Sequence, residues 1–280
     1  MTILITGKNG QLGTELGQFL EQKEIDYLGT DSKELDICNQ KQVIDYFNQV
    51  RPTIVFHCAA YTAVDAAEDE SKELNAKVNV EGTRHVAEAA ESVGAILVYI
   101  STDYVFDGGK SEGEYYPEDE TNPINQYGMA KLAGEQIVAG TCTKYYIIRT
   151  SWVYGKYGNN FVFTMQKLAK NRDVLTVVSD QIGRPTWTRT LAEFMLHLVV
   201  EKAEYGTYQL SNDESCSWYE FAQEILKNQS VKINPISSDN YPQKANRPKR
   251  SIMNLDKAKA TGFVIPTWKE ALEVFLNESD

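Results

Sequence analysis

The sequence predicts an α/β fold, a doubly wound parallel sheet with a smaller α/β C-terminal lobe. Three observations predict it. Apolar runs of strand length alternate with amphipathic stretches up to residue 154, the pattern of a parallel sheet covered by helices on both faces. Three glycines, Gly7, Gly10 and Gly13, sit between the first apolar run and the first amphipathic one. After residue 155 the alternation loses its regularity. Residues 1–155 are therefore expected to form the sheet. Residues 156–280 are expected to form mainly the second lobe, with some segments returning to the first.

The elements follow in order. "TILIT" (2–6) reads as a strand, "QLGTELGQFLEQ" (11–22) as a helix and "IDYLGTD" (25–31) as a strand. "QKQVIDYFNQV" (40–50) is a helix, and Pro52 opens the strand "TIVFHCAA" (53–60). Residues 71–93 make one long helix, followed by the strand "AILVYIS" (95–101). A loop rich in Gly, Glu, Asp and Pro spans roughly 107–124, and a loop this long in a compact domain is often functional. "NQYGMAKLAGEQ" (125–136) is a helix and "YYIIRTSWVY" (145–154) a strand. Helices at about 160–170, 188–202 and 217–227 are separated by short segments such as "DVLTVVSD" and "GTYQLSND", and "TWKEALEVFLN" closes the chain.

Composition excludes several classes. The chain has 280 residues, 42% hydrophobic and 24% charged, which is ordinary for a globular protein with a substantial core. With 28 basic and 39 acidic residues the net charge is −11, so no nucleic-acid partner is expected. Cys38, Cys58, Cys142 and Cys216 are far apart, with no CxxC and only three histidines, so no metal site is expected. The opening "MTILITGKNG" is a strand and a turn rather than a signal peptide, and no apolar run reaches transmembrane length. A reduced, cytoplasmic protein with no membrane partner is expected.

The motifs gather where strands end. Gly7, Gly10 and Gly13 have GxxGxxG spacing. Such glycines permit a tight turn and close approach of a dinucleotide's pyrophosphate to a helix N-terminus. Asp31 ends the second strand, where an acid accepts from adenosine ribose hydroxyls and disfavours a 2′-phosphate. Ser32 and Lys33 follow at once and would welcome that phosphate, so NADPH and NADH both stay open. Ligands in such sheets sit beyond the carboxyl ends of strands. "AAYTAVDAAE" (59–68) and "STDYVFDG" (101–108) leave the third and fourth strands there, with Ser101 and Thr102 presenting hydroxyls. Tyr127 and Lys131 are four residues apart and share a helix face. A nearby ammonium lowers a phenol's pKa, making Tyr127 a usable acid. Thr102 would hold a carbonyl oxygen as charge develops on it. Together these point to ketone reduction by a nicotinamide cofactor.

These residues resemble the extended short-chain dehydrogenase/reductase superfamily, whose sheet is the Rossmann fold. More closely, "GKNGQLG", "AAYTAVDAAE", "STDYVFDG", "YGMAKLAGE", "RTSWVYG", "GNNF" and "DQIGRPT" are similar, in order, to the dTDP-4-dehydrorhamnose reductases. The resemblance implies NAD(P)H-dependent reduction of the 4-keto group of dTDP-4-dehydro-L-rhamnose, within nucleotide-sugar and cell-surface polysaccharide biosynthesis. It implies that Gly10, Gln11 and Leu12 meet the pyrophosphate, that Asp31 meets the ribose, and that Asp36 and Ile37 flank the adenine. Ala60, Tyr61 and Thr62 would line the nicotinamide side. Thr102, Tyr127 and Lys131 would be the catalytic set, with Lys131 also holding the nicotinamide ribose. Asp103, Tyr104, Trp152 and Val64 would contact the sugar. Related 4,6-dehydratases carry an acid where this chain has Tyr104, which argues against dehydration. Some relatives are thought to dimerise through magnesium on glutamates. Glu15 is in place, but Arg189 stands where an acid is expected, which leaves magnesium doubtful and a monomer or weak homodimer expected. Arg184, Arg247 and Arg250 are candidates for the substrate diphosphate. The alternatives are another sugar-nucleotide epimerase or reductase, or a non-catalytic regulatory subunit similar to the methionine adenosyltransferase β subunit.

Overall fold

In the computed structural model, which describes residues 2–279, β1 (Ile3–Thr6) is buried at every position. A parallel strand covered on both faces needs such an unbroken apolar run. α1 (Gln11–Gln22) and β2 (Tyr27–Thr30) follow. α2 (Gln40–Val50) starts at Asn39, whose side chain accepts from the Gln42 amide at 3.1 Å, and ends at Arg51 in the left-handed region (φ 49°), just before Pro52. β3 is Ile54–His57, shorter than the expected 53–60 because the chain turns away into the loop at Cys58.

The expected helix 71–93 is α3 (Lys72–Ala76) and α4 (Thr83–Ser92) joined by a π-helical stretch, Lys77–Gly82. β4 (Ile96–Thr102), α5 (Gln126–Thr141) and β5 (Tyr145–Thr150) follow. The expected strand 145–154 breaks after Thr150. Trp152 takes φ 49°, and β6 (Val153–Tyr154) leaves the sheet to pair with β9 (Thr186–Trp187). Between them lie α6 (Phe161–Ala169), β7 (Val174–Val178) and β8 (Ile182–Gly183). α7 (Thr188–Val200), β10 (Gly206–Gln209), β11 (Cys216–Ser217), α8 (Trp218–Ile225), β12 (Lys232–Ile236), α9 (Asp256–Lys259) and α10 (Trp268–Ser279) complete the chain.

The central sheet is parallel throughout, in the order β10-β5-β4-β3-β1-β2. Its order reverses between β1 and β3, and the crevice beyond that reversal is where open α/β sheets bind ligands. One face packs Ile3, Ile5 and Phe56 against Leu16 and Leu20 of α1 and Leu191, Phe194 and Leu198 of α7. The other packs Leu4, Val55 and Leu97 against Val43, Phe47, Val86 and Val138. The lobe has its own core of Tyr154, Val162, Leu175, Phe221, Leu272 and their neighbours. The loop 107–124 is tied down rather than loose. Arg149 makes a buried bidentate pair with Glu135 (2.9 and 2.8 Å) and donates to Pro117 O at 3.0 Å, while Arg184 bonds Glu114 at 2.7 Å. Among the described residues no helix is long and apolar enough to cross a membrane.

Candidate active site

A cavity of about 650 Å³ opens at the carboxyl ends of β1, β3 and β4, with the lobe as its far wall. Gly10, Gln11 and Leu12 line it, but Gly7 and Gly13 do not. Those two glycines build the turn. Gly7 has φ 72°, and a Cβ there would lie 2.6 Å from the Ala59 nitrogen. A Cβ at Gly13 would lie 2.2 Å from the Gly7 oxygen. Gly10 is the N-cap of α1 and makes no side-chain cap bond, and the first turn holds no acidic residue. Helix-terminal amides left without a side-chain cap suit an anion, so the turn fits a dinucleotide pyrophosphate. The Gln11 amide reaches the lobe at Val153 O (3.3 Å) and Asn160 (3.1 Å).

Asp31 lies outside the cavity's lining, at the end of β2. Its carboxylate accepts from the Asn9 amide and from Lys33 N at 2.8 Å, and these bonds hold it below the usual carboxylate range. Asp36 and Ile37 do not line the cavity either. The Asp36 carboxylate accepts from Cys38 N at 3.0 Å, and Ile37 is buried against Gly82 and the core. An aliphatic side chain at this position is held by the same hydrophobic burial that builds the core.

Ala60, Thr62 and Val64 line the cavity. Tyr61 does not, but its main chain is gripped. Asn79 accepts from Tyr61 N at 3.0 Å and donates to Tyr61 O at 2.9 Å. Asn79 also bonds Asn75, which bonds Gln126 O at the start of α5. The π-helical stretch carries Asn79, and π-bulges often occur at functional sites. Neither asparagine carries a signal in the sequence, because a clamp on main-chain atoms has no motif.

Thr102, Asp103, Tyr104, Tyr127 and Lys131 converge on the cavity, with Ser101 beside them. The Ser101 hydroxyl is buried with no partner among the described residues. α5 comes this close because glycines face its neighbours. A Cβ at Gly128 would lie 2.2 Å from Tyr104 O, and one at Gly134 would lie 2.2 Å from the Tyr99 hydroxyl. Asn125 caps the helix by accepting from Gly128 N at 2.7 Å. The Tyr127 phenol is raised rather than lowered, contrary to the expectation from its lysine neighbour. Burial pushes the phenol up and the Asp103 carboxylate adds to this, while Thr102 opposes. Burial also lowers Lys131 to about 7. Asp103 bonds Ser251 and Thr102 (3.2 Å), yet burial raises it to about 7.

On the lobe side Trp152 lines the cavity and stacks on Trp218 (ring centroids 3.7 Å apart, 12° between planes), which also lines it. No sequence signal marks Trp218 for the site, since a lone tryptophan opening a helix reads as core. The three arginines differ in their engagement. Arg184 is buried on Glu114 and Met253 O. Arg250 donates to Gly113 O at 3.2 Å. Arg247 pairs with Asp65 at 2.7 Å and interacts with the Tyr104 phenol. None of the three lines the cavity. The buried Glu15 carboxylate is held by Arg189 at 2.6 Å. Among the described residues no cluster of His, Cys, Asp or Glu could hold a metal ion.

The model of the RmlD substrate binding domain family matches residues 1–280. A dTDP-4-dehydrorhamnose reductase of Aggregatibacter actinomycetemcomitans is 39% identical, over 97% of this chain and 97% of its own. A spore coat polysaccharide biosynthesis protein of Bacillus subtilis (strain 168) is 40% identical, over 99% and 97%. The crystal structure of the dTDP-4-dehydrorhamnose reductase from Bacillus anthracis str. Ames in complex with NADP superposes with a TM-score of 0.94, at 47% identity and 99% coverage of each chain.

Proposed function

The chain belongs to the dTDP-4-dehydrorhamnose reductase family, and on that premise we propose that it is an NAD(P)H-dependent oxidoreductase reducing the 4-keto group of dTDP-4-dehydro-L-rhamnose. The observation that carries the reading is the convergence of Thr102, Tyr127 and Lys131 on one cavity with the Gly10–Leu12 turn. The nicotinamide cofactor, when bound, supplies hydride to the carbonyl carbon. This chain's residues handle the rest. Tyr127 gives the proton to the carbonyl oxygen; burial keeps the phenol protonated at neutral pH, so the acid is always loaded. Thr102 donates to the same oxygen as charge develops. Lys131 holds the nicotinamide ribose and, when charged, favours the phenolate left behind.

Gly10, Gln11 and Leu12 would hold the pyrophosphate, Asp31 the adenosine ribose, and Ala60 and Thr62 the nicotinamide side. Val64, Asp103, Tyr104 and Trp152 would meet the sugar. Tyr104 carries no carboxylate to remove a C5 proton, which supports reduction over dehydration. We further read the enzyme as cytoplasmic and as a monomer or weak homodimer; light scattering tests the latter. The decisive experiment adds candidate substrates to the purified protein with NADPH. Oxidation of NADPH only when dTDP-4-dehydro-L-rhamnose is present is the expected result. No oxidation with that sugar nucleotide would overturn the assignment and favour a regulatory subunit.

A further inference from the structure

We propose that Lys8 reads the 2′ position of the adenosine ribose, with Glu34 as its built-in competitor, so that this pair sets the balance between NADPH and NADH. The inference rests on the reading of the Gly10–Leu12 turn and Asp31 as the cofactor site. Lys8 lies inside the glycine turn, and its main chain is fixed at both ends. Its amide donates to Thr30 O at 3.0 Å, and its carbonyl accepts from the Thr14 hydroxyl at 2.9 Å. Its side chain crosses Gly29, where a Cβ would lie 2.9 Å from Lys8 Cδ, so the glycine in β2 leaves room for that path. The ammonium then reaches Glu34 Oε1 at 2.7 Å.

Glu34 bridges the site, because its other oxygen accepts from the Asp31 amide at 3.0 Å. Two carboxylates, Asp31 and Glu34, therefore face the end of β2, and Lys8 is the ammonium paired there. Lys33, which the sequence offered for this role, contributes its main-chain amide to Asp31. A ribose diol can donate to the Asp31 carboxylate. A 2′-phosphate dianion is repelled by both carboxylates and needs a cation. The Lys8–Glu34 pair is partly exposed, at 31% and 49% of the two side chains. Such pairs are weak, so a phosphate can take the ammonium from Glu34 and form a stronger charge-assisted bond.

The test measures calorimetric binding of 2′,5′-ADP and of ADP to wild type, Lys8→Met and Glu34→Gln, alongside kcat/KM for NADPH and NADH. Lys8→Met keeps the stem that crosses Gly29 and removes only the charge. The expected result is a roughly tenfold loss for 2′,5′-ADP, the size of one hydrogen bond to a charged group, with a clearly smaller change for ADP. Glu34→Gln should tighten 2′,5′-ADP relative to ADP, and the NADPH/NADH ratio should move with binding in both variants. Equal losses for both nucleotides, or no loss for either, would overturn the proposal while wild-type binding keeps the cofactor reading intact. Wild type binding neither nucleotide would overturn both.

Discussion

The Lys131 ammonium lies 4.1 Å from the centroid of the Tyr99 ring, and both residues are buried. The aromatic face attracts the cation, but burial outweighs it and lowers the lysine to about 7. Glu135 pulls the other way, yet its carboxylate is already bonded by Arg149. The folded value thus lies below the ordinary 10.5 of an unfolded chain. Below about pH 7 both states carry the proton, and the fold bears the full cost of a buried charge. Between about 7 and 10.5 the unfolded state binds more protons, so stability rises with pH. Lys131→Met should therefore raise Tm, by most at pH 7 and below and by little near pH 10. Each tenfold change in proton affinity is worth about 1.4 kcal/mol, so the low-pH gain should reach a few kcal/mol. A pH-independent change in calorimetric Tm would contradict this.

Activity should follow the same titration. Above about pH 7 the free enzyme's Lys131 becomes neutral and loses its hold on an anionic cofactor, and Asp103 becomes charged beside Tyr127. We expect kcat/KM for NADPH to fall as pH rises through about 7, since that ratio reports groups of the free enzyme. In Asp103→Asn the limb should persist if Lys131 controls it. A flat wild-type profile between pH 6 and 8.5 would refute the assignment.

Glu135 and Arg149 are each about 6% exposed and bond through both carboxylate oxygens. Removing one partner of such a pair strands the other charge, at a cost of about 3–5 kcal/mol. Glu135→Ala should lower stability by that amount in urea titration, and pairing it with Arg149→Met should recover much of the loss. Equal destabilisation by the single and double variants would show that packing, not charge, is responsible.

The first five sheet strands and their parallel arrangement were legible because each strand and its covering helix carry distinct apolar periods; their order in the sheet was not. The glycine turn and the Tyr127–Lys131 spacing were legible as motifs. β10 was not, since "GTYQ" is four residues long and its partner β5 is remote in sequence. The break at Trp152 was not, because an aromatic run reads as continuous strand while the chain takes φ 49° there. Asn79 and Trp218 act only through tertiary neighbours. The shifts of Tyr127 and Lys131 depend on burial, which helix spacing does not report.

The Arg189 guanidinium occupies the buried Glu15 carboxylate. Activity should therefore survive EDTA. Loss that only added magnesium restores would show that Glu15 exchanges its arginine for a metal.

Tyr127 meets the Tyr104 ring edge-on, with centroids 6.0 Å apart and planes at 84°. Tyr127→Phe keeps that packing and removes only the hydroxyl. Folding should persist, while kcat falls roughly 10²–10⁴-fold, the share of general acid catalysis. KM for NADPH should change little, because Lys131 and the glycine turn remain. Thr102→Val separates the two hydroxyls. Losing a donor to the developing alkoxide should also lower kcat, and the double variant should lose less than the product of the two single losses because both act on one oxygen. Near-normal kcat in Tyr127→Phe, measured with a folded protein of unchanged near-UV dichroism, would remove the proton donor from the mechanism and leave the cavity as a cofactor-binding site alone.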